Sequence, residues 1–405
     1  MKKIIILFTA LLPFITSCTK DDSDFDTLLI LADQAIKPID IDLDYSALEE
    51  APDEVITDPD DPYYNDYVEN ESILRTVYIH YEGETVTLDG ATNRVSINAN
   101  GTHVVVNSSA GHVDYVLSGT TDNGSFKIYS DSKFKLTLNG VSITNPTGAA
   151  INDQCGKTVY LVLTDGTTNT LTDGAIYSTT SGEQMKGAFF SEGQVIVSGT
   201  GTLNVNATGG HGFVSDDYIR FRPGCKLNVT SSAGHGIKAN DGVFIDGGVL
   251  NITITGDGYK GIKSDLDVDV KGGRTTVITS GNSRIVEESL ETLADTSSCA
   301  GIKCEGIMTV SGGTLNMKST GEGGKGLNTV GDLVITGGNI NVVTTGIKGF
   351  SSPKGIKSDA DINISGGNTY SYSKSSDPID AQGTLTVAEG YTTRETLSRR
   401  VKIFY

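Results

Sequence analysis

The chain has no tryptophan, and only nine prolines, four methionines and five histidines in 405 residues. Sugar-binding platforms of the cellulose type rest on broad aromatic surfaces, so the missing tryptophan argues against one. Histidines at 80, 103, 112, 211 and 235 are scattered and give no Ser/His/Asp or Cys/His nucleophile arrangement. Few prolines beside 49 glycines exclude collagen and proline-rich linkers and suit frequent tight turns. Beyond the N-terminal segment no apolar run is long enough for a transmembrane helix. The five cysteines form no CxxC pair and no Cys/His zinc spacing. Cys155, Cys225, Cys299 and Cys304 read as small interior fillers, with a Cys299–Cys304 disulfide left open. Basic tracts are missing too: 31 Lys and Arg stand against 50 Asp and Glu, and nothing suggests nucleic-acid binding.

What is present begins with an address. "MKK" is a positive n-region, "IIILFTALLPFI" an apolar h-region, and "ITSC" looks like a bacterial lipobox. That resemblance implies removal of residues 1–17 and lipid attachment at Cys18. The following "TKDD" resembles the acidic signal that sends some Gram-negative lipoproteins to the cell surface. The expected location is the outer membrane, exposed at the cell surface and held only by acyl chains.

The net charge of −19 is unevenly placed. Residues 19–72 hold 18 acids against 2 lysines. Segment 18–72 therefore reads as an acidic, self-repelling tether, with a short helix at 27–36 ("TLLILADQAI").

From Gly187 on, the chain repeats. Glycines at 187, 212, 236, 261, 301, 326 and 355 open "GIK" or a variant, spaced by 25, 24, 25, 40, 25 and 29 residues. Each repeat reads as glycine, two short runs alternating with period two, and a Gly-Gly pair between them. These are strands, not helices. A unit of this size buries no core alone, whereas coils stacked about 4.8 Å apart fill a common interior. The fold class is all-β, a parallel β-helix. Regular coils span 187–392, an N-terminal cap and irregular coils 73–186, and a C-terminal cap 393–405. The long spacings carry inserts: "NSRIVEESLETLADTSSCA" (282–300), with an amphipathic helical look, and "IKGFSSPK".

Stacking turns each repeat position into a column. With the repeat glycine as zero, +1 is an aliphatic interior column and +3 a small one: Ser215, Ala239, Ser264, Cys304, Thr329 and Ser358. Position +2 points out and holds Lys238, Lys263, Lys303 and Lys357; +4 holds Asp216, Asn240, Asp265, Glu305 and Asp359. Position −1, with His211, His235, Lys260, Lys325 and Lys354, is expected to add a second basic column outside. Asn204, Asn228, Asn251, Asn316 and Asn341 read as a stacking ladder.

These columns read either as mutual neutralisation on a solvated face or as a binding surface. For the second reading, Lys238, Lys260, Lys263, Lys303, Lys325 and Lys357 suit the carboxylates of a uronic-acid chain, with Tyr259 as a stacking candidate. Asp216, Asp217, Asp241, Asp257 and Asp265 are candidate calcium ligands, because calcium takes six to eight oxygens.

"GIKSDLDVDVKGG" and "GIKANDGVFIDGGVLNITITGDGYKGIKSD" resemble the bacterial β-helical carbohydrate-binding domain proteins, over roughly residues 95–390. The resemblance implies a right-handed parallel β-helix, bound calcium, a pectate-lyase-like fold and binding of acidic plant polysaccharide such as polygalacturonate. Gly306, Gly331 and Ala360 depart from it, standing where Asp217 and Asp241 stand in earlier coils. The expected protein is a monomeric binder of acidic polysaccharide, with no catalytic residue assigned. Two alternatives remain: a lyase using a Lys263 base, and an adhesin or structural surface protein.

Overall fold

The computed structural model describes residues 52–178, 180–286, 295–389 and the backbone of 393–395 and 401–404. The signal segment, Cys18, the expected helix at 27–36 and most of the expected tether lie outside the described residues.

Period-two alternation buries every second side chain, and each coil contributes three strands. In one coil these are Lys260–Ser264, Val268–Val270 and Arg274–Thr279. Successive coils pair in parallel: Ile237 lies over Ile262, Ile262 over Ile302, and Ile302 over Leu327. The first strands of the coils build a 12-stranded sheet, and the other two rows join in a 21-stranded sheet. The result is a parallel β-solenoid of about 11 turns. Residues before Gly187 belong to the same stack, since Val104, Phe126 and Ile151 continue the smaller sheet. Antiparallel hairpins, Arg75–Glu82 with Thr85–Asp89 and Val95–Asn100 with Thr102–Ser108, open the chain's strand order.

The interior follows the expected columns. Phe213, Ile237, Ile262, Ile302, Leu327 and Ile356 are fully buried, as are the small residues at +3. Phe189 and Phe213 stack at 4.2 Å and 6° where the column is aromatic. All four described cysteines are buried and none is in a disulfide, so no Cys299–Cys304 bridge forms. The Gly-Gly pairs bend the chain between rows: Gly248, Gly273, Gly313, Gly338 and Gly367 all have φ between 69° and 84°. The repeat glycine has another reason. A Cβ at Gly236 would lie 2.5 Å from an Ile252 methyl and 2.6 Å from the Gly261 carbonyl. The asparagine ladder forms, with Asn228 donating to Asn204 and Asn251 to Asn228, each at 2.8 Å. Thr276 interrupts it before Asn316 and Asn341.

Two segments differ from expectation. The 282–300 insert carries an antiparallel pair, Arg284–Val286 with Asp295–Ser297, at the ends expected to be helical; 287–294 are outside the described residues. Its base is pinned in extended form, because Asn282 accepts from the Gly258 N–H and Ser283 donates to the Glu322 carbonyl. The second difference concerns residues 53–71, expected to belong to a free tether. They pack against the outside of the larger sheet as a strap. Arg220 pairs with Asp66 at 2.7 Å, and Arg222 with Asp53 at 2.9 Å and Glu69 at 2.8 Å. Tyr67 lies 4.4 Å from the Arg222 guanidinium, and Tyr63 at the same distance from that of Arg220. The strap's acids neutralise outward arginines that the strap itself buries.

Candidate functional site

The exposed face of the smaller sheet carries one continuous outward column. Its rungs are Lys127, Asn152, Phe190, Val214, Lys238, Lys263, Lys303, Asn328, Lys357 and Asp380. Loop 174–186 covers its first part: Glu183 bonds Lys127 and Tyr129, and the Gln184 carbonyl accepts from Gln154. Phe190 and Val214 are buried accordingly. From Lys238 to Lys357 the column is half-open, with its lysines 18–21% exposed.

Three of these lysines meet a carboxylate two residues on, and Lys238 meets Asn240 there at 3.4 Å. Lys263 bonds Asp265, Lys303 reaches Glu305 at 2.7 Å, and Lys357 bonds Asp359. Pairing also crosses coils, from Lys238 to Asp265 at 3.4 Å and from Lys263 to Glu305 at 3.4 Å. Burial alone would raise the Asp265 carboxyl, but the Lys263 hydrogen bond and the Lys263 and Lys238 charges hold it below the usual range. Glu305 is lowered in the same way, mainly by Lys303. The ladder is therefore a run of salt-bridged pairs whose charges largely cancel. Each ammonium keeps donors beyond those its carboxylate uses. Such a surface presents donors and acceptors at a repeat of about 4.8 Å. Lys186, unassigned from the sequence, extends the pairing by binding Asp216 at 2.5 Å.

Position −1 does not form a second outward basic column. Lys260 and Lys325 are 6% and 7% exposed. Lys260 donates to the Gly258 carbonyl at 2.7 Å and to Ser297 at 2.6 Å, while Lys325 donates to Ser298 at 2.5 Å. Burial, then the neighbouring Lys303, pulls the Lys260 ammonium down to about 7. Burial, then Lys357 and Lys303, pulls Lys325 to about 8. Both lysines grip the stalk of the first insert, which roofs them; the local pattern contains no sign of that roof. His211 and His235 stack at 4.8 Å in the same column. Each Nδ1 accepts a backbone N–H from the next coil, His211 from His235 at 2.8 Å and His235 from Lys260 at 3.0 Å. Tyr259 is half-buried, and the Arg284 guanidinium covers its ring at 4.7 Å.

The candidate calcium ligands are spread over several turns. Asp216 is held by Lys186 and Asp265 by Lys263. Asp257 accepts the Asn282 N–H at 2.7 Å. Asp217 accepts from Gln194 and from the Tyr218 N–H. Burial, then the Asp241 charge, raises the Asp217 carboxyl, against the Tyr218 bond. Asp241 lies beside Asp217, its N–H donating to the Asp217 carbonyl at 3.2 Å. Among the described residues no three His, Cys, Asp or Glu side chains converge on a metal position.

The chain is thus a parallel β-solenoid bearing a ladder of polar pairs along one sheet face. Comparison places it further. The model of the family "Carbohydrate-binding domain-containing protein" matches residues 92–261, 258–346 and 320–398, and the chain belongs to that family. A "Carbohydrate-binding domain-containing protein" of Acetivibrio thermocellus is 30% identical over 114 residues, covering 27% of this chain and 40% of the relative. The matched region thus spans less than half of the relative's length. A solved structure described as the polysaccharide lyase-like protein from C. thermocellum, gadolinium derivative, is similar over 78% of this chain and 98% of its own, with 19% identity and a TM-score of 0.46.

Proposed function

We propose that the protein is a cell-surface, lipid-anchored binder of acidic polysaccharide of the polygalacturonate type, with the Lys238–Lys357 ladder as its contact surface. The observation that carries this reading is the register-locked column of lysine–carboxylate pairs on an open sheet face, in a chain of the carbohydrate-binding family. A sugar carboxylate takes ammonium donors in exchange for part of the protein carboxylate's share, while Asp265, Glu305 and Asp359 accept from sugar hydroxyls. Affinity then comes from many weak contacts in register, since an exposed ion pair is worth about 0–1 kcal/mol. Calcium enters as a bridge completed by the polysaccharide. It takes six to eight oxygens, more than the one or two candidate carboxylates each turn offers, and Asp217 with Asp241 is the best-placed protein pair.

The test is retention on insoluble polygalacturonate with and without a chelator, against a neutral polysaccharide as control. Retention that drops in Lys263→Ala/Lys303→Ala and under chelation is expected. Equal non-retention in both conditions sinks the proposal, and retention unaffected by chelator removes calcium from it. The same incubation is read for unsaturated, UV-absorbing product, whose appearance would establish lyase chemistry instead.

A further inference from the structure

The turn that leaves the smaller sheet changes character along the solenoid. Its central position is Asp217 and Asp241 in two earlier coils, then Leu266, Gly306, Gly331 and Ala360 in the next four. Main-chain bonds stack these later turns, with Gly306 donating to the Leu266 carbonyl and Gly331 to that of Gly306, each at 3.0 Å. The glycines have a packing reason, because a Cβ at Gly331 would lie 2.6 Å from the Gly306 carbonyl oxygen. The apolar side chains around them have none. Leu266 is 51% exposed, Ile307 46% and Val330 40%. Scattered singly, such residues need no explanation. These three lie on consecutive coils, across a floor of glycine that adds no side chain between them.

The adjoining rung of the ladder is uncharged as well. Between Lys303 and Lys357 the lysine gives way to Asn328, and the acid two residues on gives way to Val330. Asn328 is 9% exposed, and its Oδ1 has no hydrogen-bond partner among the described residues. Lys303 and Lys357, on the coils either side, bond Glu305 and Asp359 instead. A buried acceptor without a donor is costly, and a ligand hydroxyl at this rung would relieve it. Charge narrows the ligand further. Beyond the apolar turns lie Asp267, Asp332 and Asp361, which accept main-chain N–H groups from Ile307 at 2.7 Å, Asp361 at 3.1 Å and Thr384 at 2.7 Å. None of the three pairs with a base among the described residues. The field over these turns is therefore acidic. It repels a sugar carboxylate and leaves a neutral, methyl-bearing group undisturbed.

We propose that Leu266, Ile307, Val330 and Asn328 form a shelf that recognises an esterified sugar. The three aliphatic side chains take the ester methyl, carried either by a methylated carboxyl or by an O-acetyl group. Asn328 accepts from a hydroxyl of the same ring, and Lys303 or Lys357 donates to the ester carbonyl. The occupant is the polymer that lies along the ladder, its free carboxylates on the coils of Lys238 and Lys263 and its esterified residues on those of Asn328 and Lys357. The proposal rests on the ladder as the contact surface. It adds that the preferred ligand is a partly esterified uronate polymer, not the fully charged one.

The experiment measures affinity of the full chain for three soluble polymers: polygalacturonate, a partly methyl-esterified form and an O-acetylated form. The wild-type chain is expected to bind an esterified form about fourfold more tightly than polygalacturonate, equal to about 0.8 kcal/mol. The arm that shows the excess identifies the ester. Ile307→Ser/Val330→Ser should lose the excess and keep the affinity for polygalacturonate. Val330→Asp, which restores the acid that Asp359 supplies one coil on, should lose it too. Leu74→Ser, at an exposed apolar residue before the first strand, is the control and changes nothing. Unchanged melting temperatures keep the comparison one of binding. A wild-type chain with no preference for either ester, or a preference that survives both shelf variants, overturns the shelf and leaves the ladder standing. Equal loss for all three polymers in the shelf variants overturns the ester assignment. No binding of any of the three by the wild-type chain overturns both shelf and ladder.

Discussion

Lys260 and Lys263 sit three residues apart in one "YKGIKSD" stretch, yet the fold gives them opposite environments. Lys263 lies among carboxylates, whereas Lys260 faces Ser297 and a carbonyl under a roof. The Lys260 ammonium falls from 10.5 to about 7. Between those values the unfolded chain holds a proton that the folded chain has released. Stability therefore rises with pH from about 7 towards 10.5, and the lysine contributes no slope below 7. Lys260→Met should flatten the rise of melting temperature between pH 7 and 9.5 relative to wild type; an identical slope would show that Lys260 titrates normally. The histidine stack acts on the acid side. Burial, ahead of the charges of Lys238 and Lys186, brings His211 from 6.5 to about 4. Its Nδ1 accepts a backbone N–H, so the neutral form is the structural one. Stability drains away as pH falls from 6.5 towards 4, because the unfolded chain gains its proton first. His211→Gln, which keeps an acceptor without titrating, should lose less melting temperature between pH 7 and 4.5.

Among the elements, the strap of residues 53–71 shows how burial decides the sign of a charge deletion. Arg222 is 1% exposed, while its partners Asp53 and Glu69 have side chains 31% and 47% exposed. Removing the arginine leaves two acids that water can reach. Removing the acids leaves a buried guanidinium without a counter-charge, the costlier outcome at about 3–5 kcal/mol for a fully buried pair, less here. Arg222→Met should therefore be tolerated better than Asp53→Asn/Glu69→Gln in denaturant melts. The reverse order would mean that the strap does not seal this pair. The same element marks the limit of what the sequence makes legible. Solenoid columns are readable because each depends on alternation and on a partner one period away, as with Ile237, Ile262 and Ile302. The ladder of Lys238, Lys263, Lys303 and Lys357 is readable for the same reason. The strap is not: Asp53, Asp66 and Glu69 look like any acidic tether until Arg220 and Arg222 are found beneath them, more than 150 residues away. The burial of Lys260 and Lys325 is hidden likewise, since only the packing of the inserts creates it.

At the scale of the whole molecule, stability is a sum over coils and their interfaces, because each coil touches chiefly its neighbours. Over the earlier coils, two elements break that one-dimensional rule. Loop 174–186 ties the coils of Lys127 and Gln154 to that of Asp216, through Glu183, Gln184 and Lys186. The strap spans the other side: the Asn65 carbonyl accepts from Tyr160, Asp66 binds Tyr218 and Arg220, and Tyr63 packs on Phe244. Coils between Val159 and Ile245 are thereby held by more than their neighbours, and coils beyond Leu333 gain nothing from either element. Opening should proceed from the C-terminal coils, leaving the strapped region the last to exchange its amides. In hydrogen exchange, deleting residues 52–72 should lower protection in Val159–Leu163, Val195–Gly199, Tyr218–Phe221 and Gly242–Ile245 while sparing Leu333–Thr344. A uniform loss along the chain would mean that the solenoid unfolds as one unit and that the strap stabilises it globally. Protection unchanged everywhere would mean that the ion pairs of Arg220 and Arg222 hold the strap without bracing the coils beneath it.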